Sequence, residues 1–351
     1  MDYDAIVAGA GIWGCTVARR LVDAGQRVLV IEKRPAVGGN MRCFVDTETG
    51  IEVHLYGSHI FHTSNQNVWS FIRRFTDFNG YRHKVLSCLN GRFYHLPFGR
   101  TLVREFFGED LSPDALNEER RTEIFDSFIR GYTSKQWGVP PEQVSPSVIG
   151  RFKIRDSDST DYFDDPFQGI PQDGYNAIFD RLLDHPNISV VCGRTFTLDS
   201  KAVLRSGNPI PVYYSGPIDA LFGYKFGPLP WRTLTFETER LHNPNYQNCA
   251  VVNYPEPTIP FTRIHEYRHY HPDKACRTEQ TIITREYPRA WKPGDEPYYP
   301  VENPESERLL ELYRAELSRH PYITAGGRLG AYRYYDMDDA IASALDVTLR
   351  A

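Results

Sequence analysis

Residues 4–34 read DAIVAGAGIWGCTVARRLVDAGQRVLVIEKR, and their pattern decides the fold. A short apolar run ends in glycines, Val17, Leu21 and Val22 follow at helical spacing, and a second apolar run closes at Glu32. That order is strand, helix, parallel strand. Gly9, Gly11 and Gly14 form G-x-G-x-x-G at the first turn, where missing side chains let helix N-terminal amides approach a pyrophosphate. Glu32 then stands where a carboxylate accepts from ribose hydroxyls. A glycine fingerprint alone is weak, but here the strand, the helix and the acid accompany it, which predicts a dinucleotide site. Gly38, Gly39 and Asn40 add a second close backbone approach and point to FAD rather than NAD, against the plainer reading of a simple turn.

The whole chain sets the bounds around that unit. Its 351 residues, 41% apolar and 24% charged, are those of an ordinary globular protein with room for two or three packed units. A net charge of −5 without a long basic run gives no reason to expect a nucleic-acid or anionic-membrane partner, so a bound anion must meet local arginines. No stretch approaches the roughly 20 apolar residues of a membrane span, and the N-terminus lacks a basic leader region, so stable membrane insertion is not expected. Cys15, Cys43, Cys88, Cys192, Cys249 and Cys276 include no C-x-x-C pair. They read as core thiols in a reducing compartment, and a cytoplasmic location is expected.

Beyond the opening unit the texture changes twice. Residues 96–165 read as helical, with RTLVREFF, LNEERRTEIFDSFIRGY and turn signals at Pro113, Pro140, Pro141 and Pro146. DGYNAIFDRLLDHPNISVVCGR and IPVYYSGPID resume the α/β unit. WRTLTFETERL, NCAVVNYPE, FTRIHEYRHY and QTIITREYP are then β-rich segments of an antiparallel sheet. ESERLLELYRAELSRH is amphipathic, and YITAGGRLGAYRYYDMDDAIASAL repeats the strand, glycine turn and helix of the N-terminus. The expected class is α/β: a discontinuous Rossmann-like domain (1–65, 171–220 and 315–351), an inserted helical domain (96–165), and an antiparallel sheet domain with its connections (66–95 and 221–314).

Six motifs stand in register: the N-terminal fingerprint, GSHIFHT, GYTSKQWG, TRIHEY, EPYYPV and GGRLGAYRYYDMDDAI. Together they resemble bacterial UDP-galactopyranose mutase along essentially the whole chain. The resemblance implies an FAD enzyme, active with reduced flavin, that interconverts UDP-galactopyranose and UDP-galactofuranose without net redox change. It implies that the flavin is bound through Gly9, Gly11, Gly14, Glu32, Lys33, Gly38, Gly39, Asn40, Arg328 and Met337. Arg151 and Arg263 match the arginines that hold the substrate diphosphate, and a guanidinium fork suits phosphate oxygens. Trp137 matches the aromatic that stacks on the uracil, Phe128 and Ile129 positions beside the base, and Tyr132 a phosphate-contacting hydroxyl. Tyr162, Asn253, Tyr299, Tyr334 and Asp336 match further substrate contacts, with Tyr298 as the alternative to its neighbour. Asp336 also reads as a helix cap.

His59 and His62 match two histidines beside the flavin. Metal ligation is the competing reading, but no Cys or carboxylate lies at suitable spacing, and no metal is predicted. Ser58 departs from the family, which usually carries Pro there, so the backbone holding His59 and the sugar specificity are both open. Galactopyranose and galactofuranose differ in which hydroxyl closes on C1. Attack of reduced flavin N5 on C1 with expulsion of UDP, opening of the adduct, reclosure through the other hydroxyl and displacement of the flavin by the returning UDP meets that requirement. Alternatives are the same chemistry on UDP-N-acetylgalactosamine or a dTDP-hexose, or a flavin oxidoreductase of the amine-oxidase kind. NAD(P)H or another reductant is the expected second partner; a homodimer is compatible with the sequence and not required by it.

Overall fold

The computed structural model describes residues 3–144, 153–199, 204–205, 208–275 and 278–350. Arg151 and Cys276 lie outside them. The opening segment forms strand β1 (Ala5–Ala8), helix α1 (Ile12–Asp23) and strand β2 (Val28–Glu32). All four residues of β1 are buried, as a central strand covered on both faces requires. Five parallel strands lie in the order Ile323–Ala325, Val212–Tyr214, β1, β2, Ile188–Cys192. The sheet therefore gathers pieces from both ends and the middle of the chain.

Helix α1 buries Ile12, Trp13, Cys15, Val17, Ala18, Leu21 and Val22, and each such aliphatic side chain contributes about 1.5–3 kcal/mol. It packs against the helices Tyr175–Leu183 and Met337–Leu345. Arg20 Nη1 donates to the carbonyls of Ala344 (2.6 Å) and Val347 (2.8 Å), closing the C-terminal end of the last helix.

A second, seven-stranded sheet runs in the order Tyr299–Pro300, Trp231–Leu241, Thr281–Ala290, Arg263–Glu266, Val251–Asn253, Val85–Leu89, Arg92–Leu96. It is mixed rather than purely antiparallel, because Val251–Asn253 pairs in parallel with Val85–Ser87. The expected strand over FTRIHEYRHY stops at Glu266, and Tyr267–Tyr270 turns as a 3₁₀ helix. The helical stretch is also shorter than expected. It comprises Arg100–Phe107, Glu118–Ile124, a π-helical turn Phe125–Arg130 and Gly131–Trp137, whereas 153–166 is irregular. In that segment the Ser157 and Ser159 hydroxyls accept from backbone amides two residues on, competing with helix formation.

Cys15, Cys43, Cys88 and Cys249 are buried free thiols, but Cys192 is exposed at the end of the outermost parallel strand. Among the described residues no helix is long and apolar enough to cross a membrane.

Candidate active site

The first turn of the parallel sheet is built for a close backbone approach. A Cβ on Gly14 would stand 2.0 Å from the Gly9 carbonyl oxygen, so only glycine lets α1 start this close to β1. No side chain caps the helix at Gly11. A Cβ on Gly39 would lie 3.0 Å from Gly11 Cα, so the 38–40 turn faces the first with no side chain between them. The buried Glu32 carboxylate accepts from the amides of Ala10 (2.7 Å) and Arg34 (2.9 Å) and keeps further lone pairs for a ribose.

Arg34, which the sequence reading left out, enters here. Its Nη2 donates to Asn40 Oδ1 (2.8 Å) and Glu296 Oε2 (2.7 Å), while its buried Nε and Nη1 have no partner. Unpaired buried cationic donors beside a glycine cradle and an open helix N-terminus fit the anionic dinucleotide of a flavin. Lys33 points outward to Glu296 at 3.3 Å.

The C-terminal glycine turn meets the first one through Trp13: a Cβ on Gly326 would stand 2.1 Å from its ring. This contact brings Arg328 in. Its guanidinium donates to the carbonyls of Tyr335 (2.9 Å from Nε) and Tyr298 (3.2 Å from Nη1) and lies over the Tyr334 and Tyr299 rings. Asp336 is the N-cap of the helix Met337–Leu345, and Asp339 accepts its amide at 3.1 Å, so the capping role is present.

Around these turns the substrate candidates assemble. The Tyr299 and Tyr334 rings stack at 5.9 Å, and Trp137 lies 6.0 Å from Tyr299, tilted by 51°. Tyr298 is turned inward toward Phe236, which separates the two adjacent tyrosines. Asn253 is opposite Arg263 in the ladder, and Arg263 is opposite Glu286, whose Oε1 accepts its Nε at 3.0 Å. Burial disfavours the charge on Arg263, but Glu286 more than restores it. Burial raises the Tyr132 and Tyr299 hydroxyls above their ordinary range, so both stay protonated donors near Arg263.

Phe128 and Ile129 are buried, and Phe128 packs edge-on against Tyr94 and Phe106. The core engages both side chains.

His62 Nδ1 is 2.7 Å from Asp165 Oδ2, and its ring stacks on Phe163 at 3.6 Å; Ser64 donates to the same aspartate. The His59 amide donates to His54 Nδ1 at 2.9 Å, and the Tyr175 hydroxyl to the His59 carbonyl at 2.8 Å. Burial, with the Arg328 charge, lowers the His59 imidazole to about 4, so it is neutral near pH 7. Among the described residues no group of three His, Cys, Asp or Glu side chains could hold a metal ion.

Two supporting cations carry no signal in the sequence pattern. Lys135 Nζ lies 2.5–3.0 Å from four backbone carbonyls, of Tyr254, Glu256, Ile259 and Phe261, which share its three protons, and Arg232 donates to the carbonyls of Gln136 (2.9 Å) and Lys135 (3.1 Å). Both hold the helix that ends in Trp137.

A family model described as UDP-galactopyranose mutase matches residues 127–334, and one described as an NAD(P)-binding Rossmann-like domain matches residues 7–75. The chain is 35% identical to a probable UDP-galactopyranose mutase of Klebsiella pneumoniae, covering 98% of this chain and 93% of the relative. It is 32% identical to a dTDP-fucopyranose mutase of Escherichia coli, covering 97% and 96%. Its fold is similar to the crystal structure of a reduced UDP-galactopyranose mutase, with a TM-score of 0.71 at 19% identity over 98% of this chain and 94% of the other.

Proposed function

The chain belongs to the UDP-galactopyranose mutase family of flavin-dependent isomerases, and from that premise we propose that it interconverts UDP-galactopyranose and UDP-galactofuranose. The observation that carries the reading is one cluster: Arg263, Tyr132, Trp137, Tyr299 and Tyr334 stand together beside the C-terminal glycine turn.

When bound, reduced flavin supplies an electron-rich nitrogen able to displace the nucleotide from C1 while consuming no net reducing equivalents. The chain's own residues do the rest. Gly9, Gly11, Gly14, Gly39, Glu32 and Arg34 hold the dinucleotide. Arg263 holds the diphosphate, with Arg151 as its proposed partner, and Trp137 takes the base. Protonated Tyr132 and Tyr299 donate to phosphate or sugar oxygens, which keeps the released nucleotide in place for its return. Arg328 is fixed by two carbonyls and positions the flavin, and neutral His59 adds no positive charge there. NAD(P)H or another reductant is the proposed source of the reduced state.

A second reading, the same chemistry on a different nucleotide sugar, is favoured by the full-length likeness to a dTDP-fucopyranose mutase and by Ser58. Dithionite-reduced protein incubated separately with UDP-galactopyranose, UDP-N-acetylgalactosamine and dTDP-fucopyranose, with products resolved chromatographically, separates the two. Turnover of UDP-galactopyranose at the highest kcat/KM supports the first. Preference for either other sugar replaces it, and turnover of none refutes both.

A further inference from the structure

The turn 57–59 and the strand Arg263–Glu266 meet through a hydrogen-bonded chain. Ser58 Oγ lies 2.7 Å from His265 Nδ1, His265 Nε2 lies 3.1 Å from Glu286 Oε2, and Glu286 Oε1 accepts from Arg263 Nε at 3.0 Å. His265 and Glu286 are 0% and 2% exposed, so water does not compete for these bonds. Burial lowers the His265 imidazole, which Glu286 only partly offsets; burial raises Glu286, but Arg263 beside it holds it below the usual carboxylate range. A neutral imidazole facing a carboxylate carries its proton on the nitrogen that faces it. His265 Nε2–H therefore donates to Glu286, Nδ1 is an acceptor, and the Ser58 hydroxyl donates to it.

The consequence falls on Arg263. Each oxygen of Glu286 is engaged by a different donor, so the carboxylate meets Arg263 at Nε alone. The two terminal nitrogens of Arg263 carry no carboxylate acceptor among the described residues. If His265 took the other tautomer, a ring lone pair would face Glu286, and the released Oε2 could turn onto those terminal nitrogens in a bidentate pair. A proline at position 58, usual in the family, has no hydroxyl to donate to Nδ1 and anchor the ring against Glu286.

We propose that Ser58 and His265 are positioning residues which, by engaging one oxygen of Glu286, keep the terminal nitrogens of Arg263 free for the nucleotide diphosphate. The proposal rests on Arg263 being the diphosphate ligand. Asparagine at 265 retains an acceptor for Ser58 but is too short to reach Glu286, whereas glutamine places an amide donor near the Nε2 position.

The test measures UDP binding to oxidised holoenzyme by calorimetry, with KM and kcat of the reduced enzyme alongside. Ser58→Ala, Ser58→Pro and His265→Asn are expected to weaken UDP binding and raise KM by about three- to tenfold, the range of one lost hydrogen bond. Their kcat at saturation should change less and their flavin content not at all, and His265→Gln should recover most of the affinity. Parent-like UDP affinity in both Ser58→Ala and His265→Asn overturns the relay, as does a His265→Gln variant as weak as His265→Asn. Ser58→Ala removes one oxygen from a half-buried turn and decides the matter alone should a His265 variant not fold. Failure of the parent to bind UDP overturns the reading of Arg263 together with the relay; parent binding with unchanged variants overturns the relay only.

Discussion

Trp137 is half-buried, and its ring neighbour among the described residues, Tyr299, is tilted by 51° and does not lie flat on it. In the proposed function this indole stacks on the nucleobase, and one such stack is worth about 1–3 kcal/mol. Trp137→Ala should weaken UDP binding by about that amount and Trp137→Phe by less, read by titrating UDP against flavin fluorescence. An alanine variant that binds UDP as the parent does but melts much earlier would mean that Trp137 serves packing instead. At this scale the sequence left side-chain orientations open. Tyr298 and Tyr299 are indistinguishable as neighbours in a chain, and only the folded ladder turns one toward Phe236 and the other toward Tyr334.

The helix Gly131–Trp137 has seven residues, well short of the roughly 12–15 needed for marginal stability alone, so tertiary contacts must hold it. Lys135 supplies them on one side, through four carbonyls of the 254–261 loop, and Arg232 caps the C-terminal end. A Cβ on Gly131 would stand 2.1 Å from the Pro255 carbonyl oxygen, so the glycine is what allows that loop to come so close. Burial lowers the Lys135 ammonium to about 8, a sign that its desolvation is only partly offset. Lys135→Met leaves those carbonyls without their donor and should destabilise the protein by on the order of 2 kcal/mol. Thermal melting with and without UDP checks this, and UDP should stabilise the variant less than the parent. An unchanged melting temperature and an unchanged UDP increment would show that the clasp is dispensable.

Elements defined by local periodicity were legible: β1, α1, β2, the helices Tyr175–Leu183 and Pro304–Leu317, and the long strands Trp231–Leu241 and Thr281–Ala290. The parallel pairing of Val251–Asn253 with Val85–Ser87 was not, because it joins segments far apart in sequence and no local pattern encodes a distant partner. The π-helical turn Phe125–Arg130 reads in sequence as ordinary helix. Lys135 and Arg232 looked like two more surface charges, since nothing in their neighbourhoods announces which carbonyls they will meet.

Across the whole molecule, two sheets carry the two halves of the task. The parallel sheet offers glycine turns and an open helix N-terminus to an anionic dinucleotide. The seven-stranded sheet carries Asn253, Arg263 and Glu286 on three adjoining strands and Tyr299 on its edge strand, beyond Trp231–Leu241. The helix bearing Trp137 is tied to strand Trp231–Leu241 by Arg232, and the C-terminal turn, seated on Trp13, brings Arg328 and Tyr334 to the same place. Chain order alone indicated that the parallel sheet is interrupted and resumed; it could not show that Trp13 joins the two glycine turns.

In the proposed function, reduced flavin acts as a nucleophile and not as an electron donor. The direct measurement is turnover of UDP-galactopyranose by one preparation, first rigorously oxidised and then reduced with dithionite under anaerobic conditions, with product and oxidised flavin quantified together. The oxidised protein should form no product, and after reduction each flavin should support many turnovers and stay reduced throughout. Full turnover by the oxidised protein, or one flavin oxidised for each product formed, would contradict the nucleophilic role.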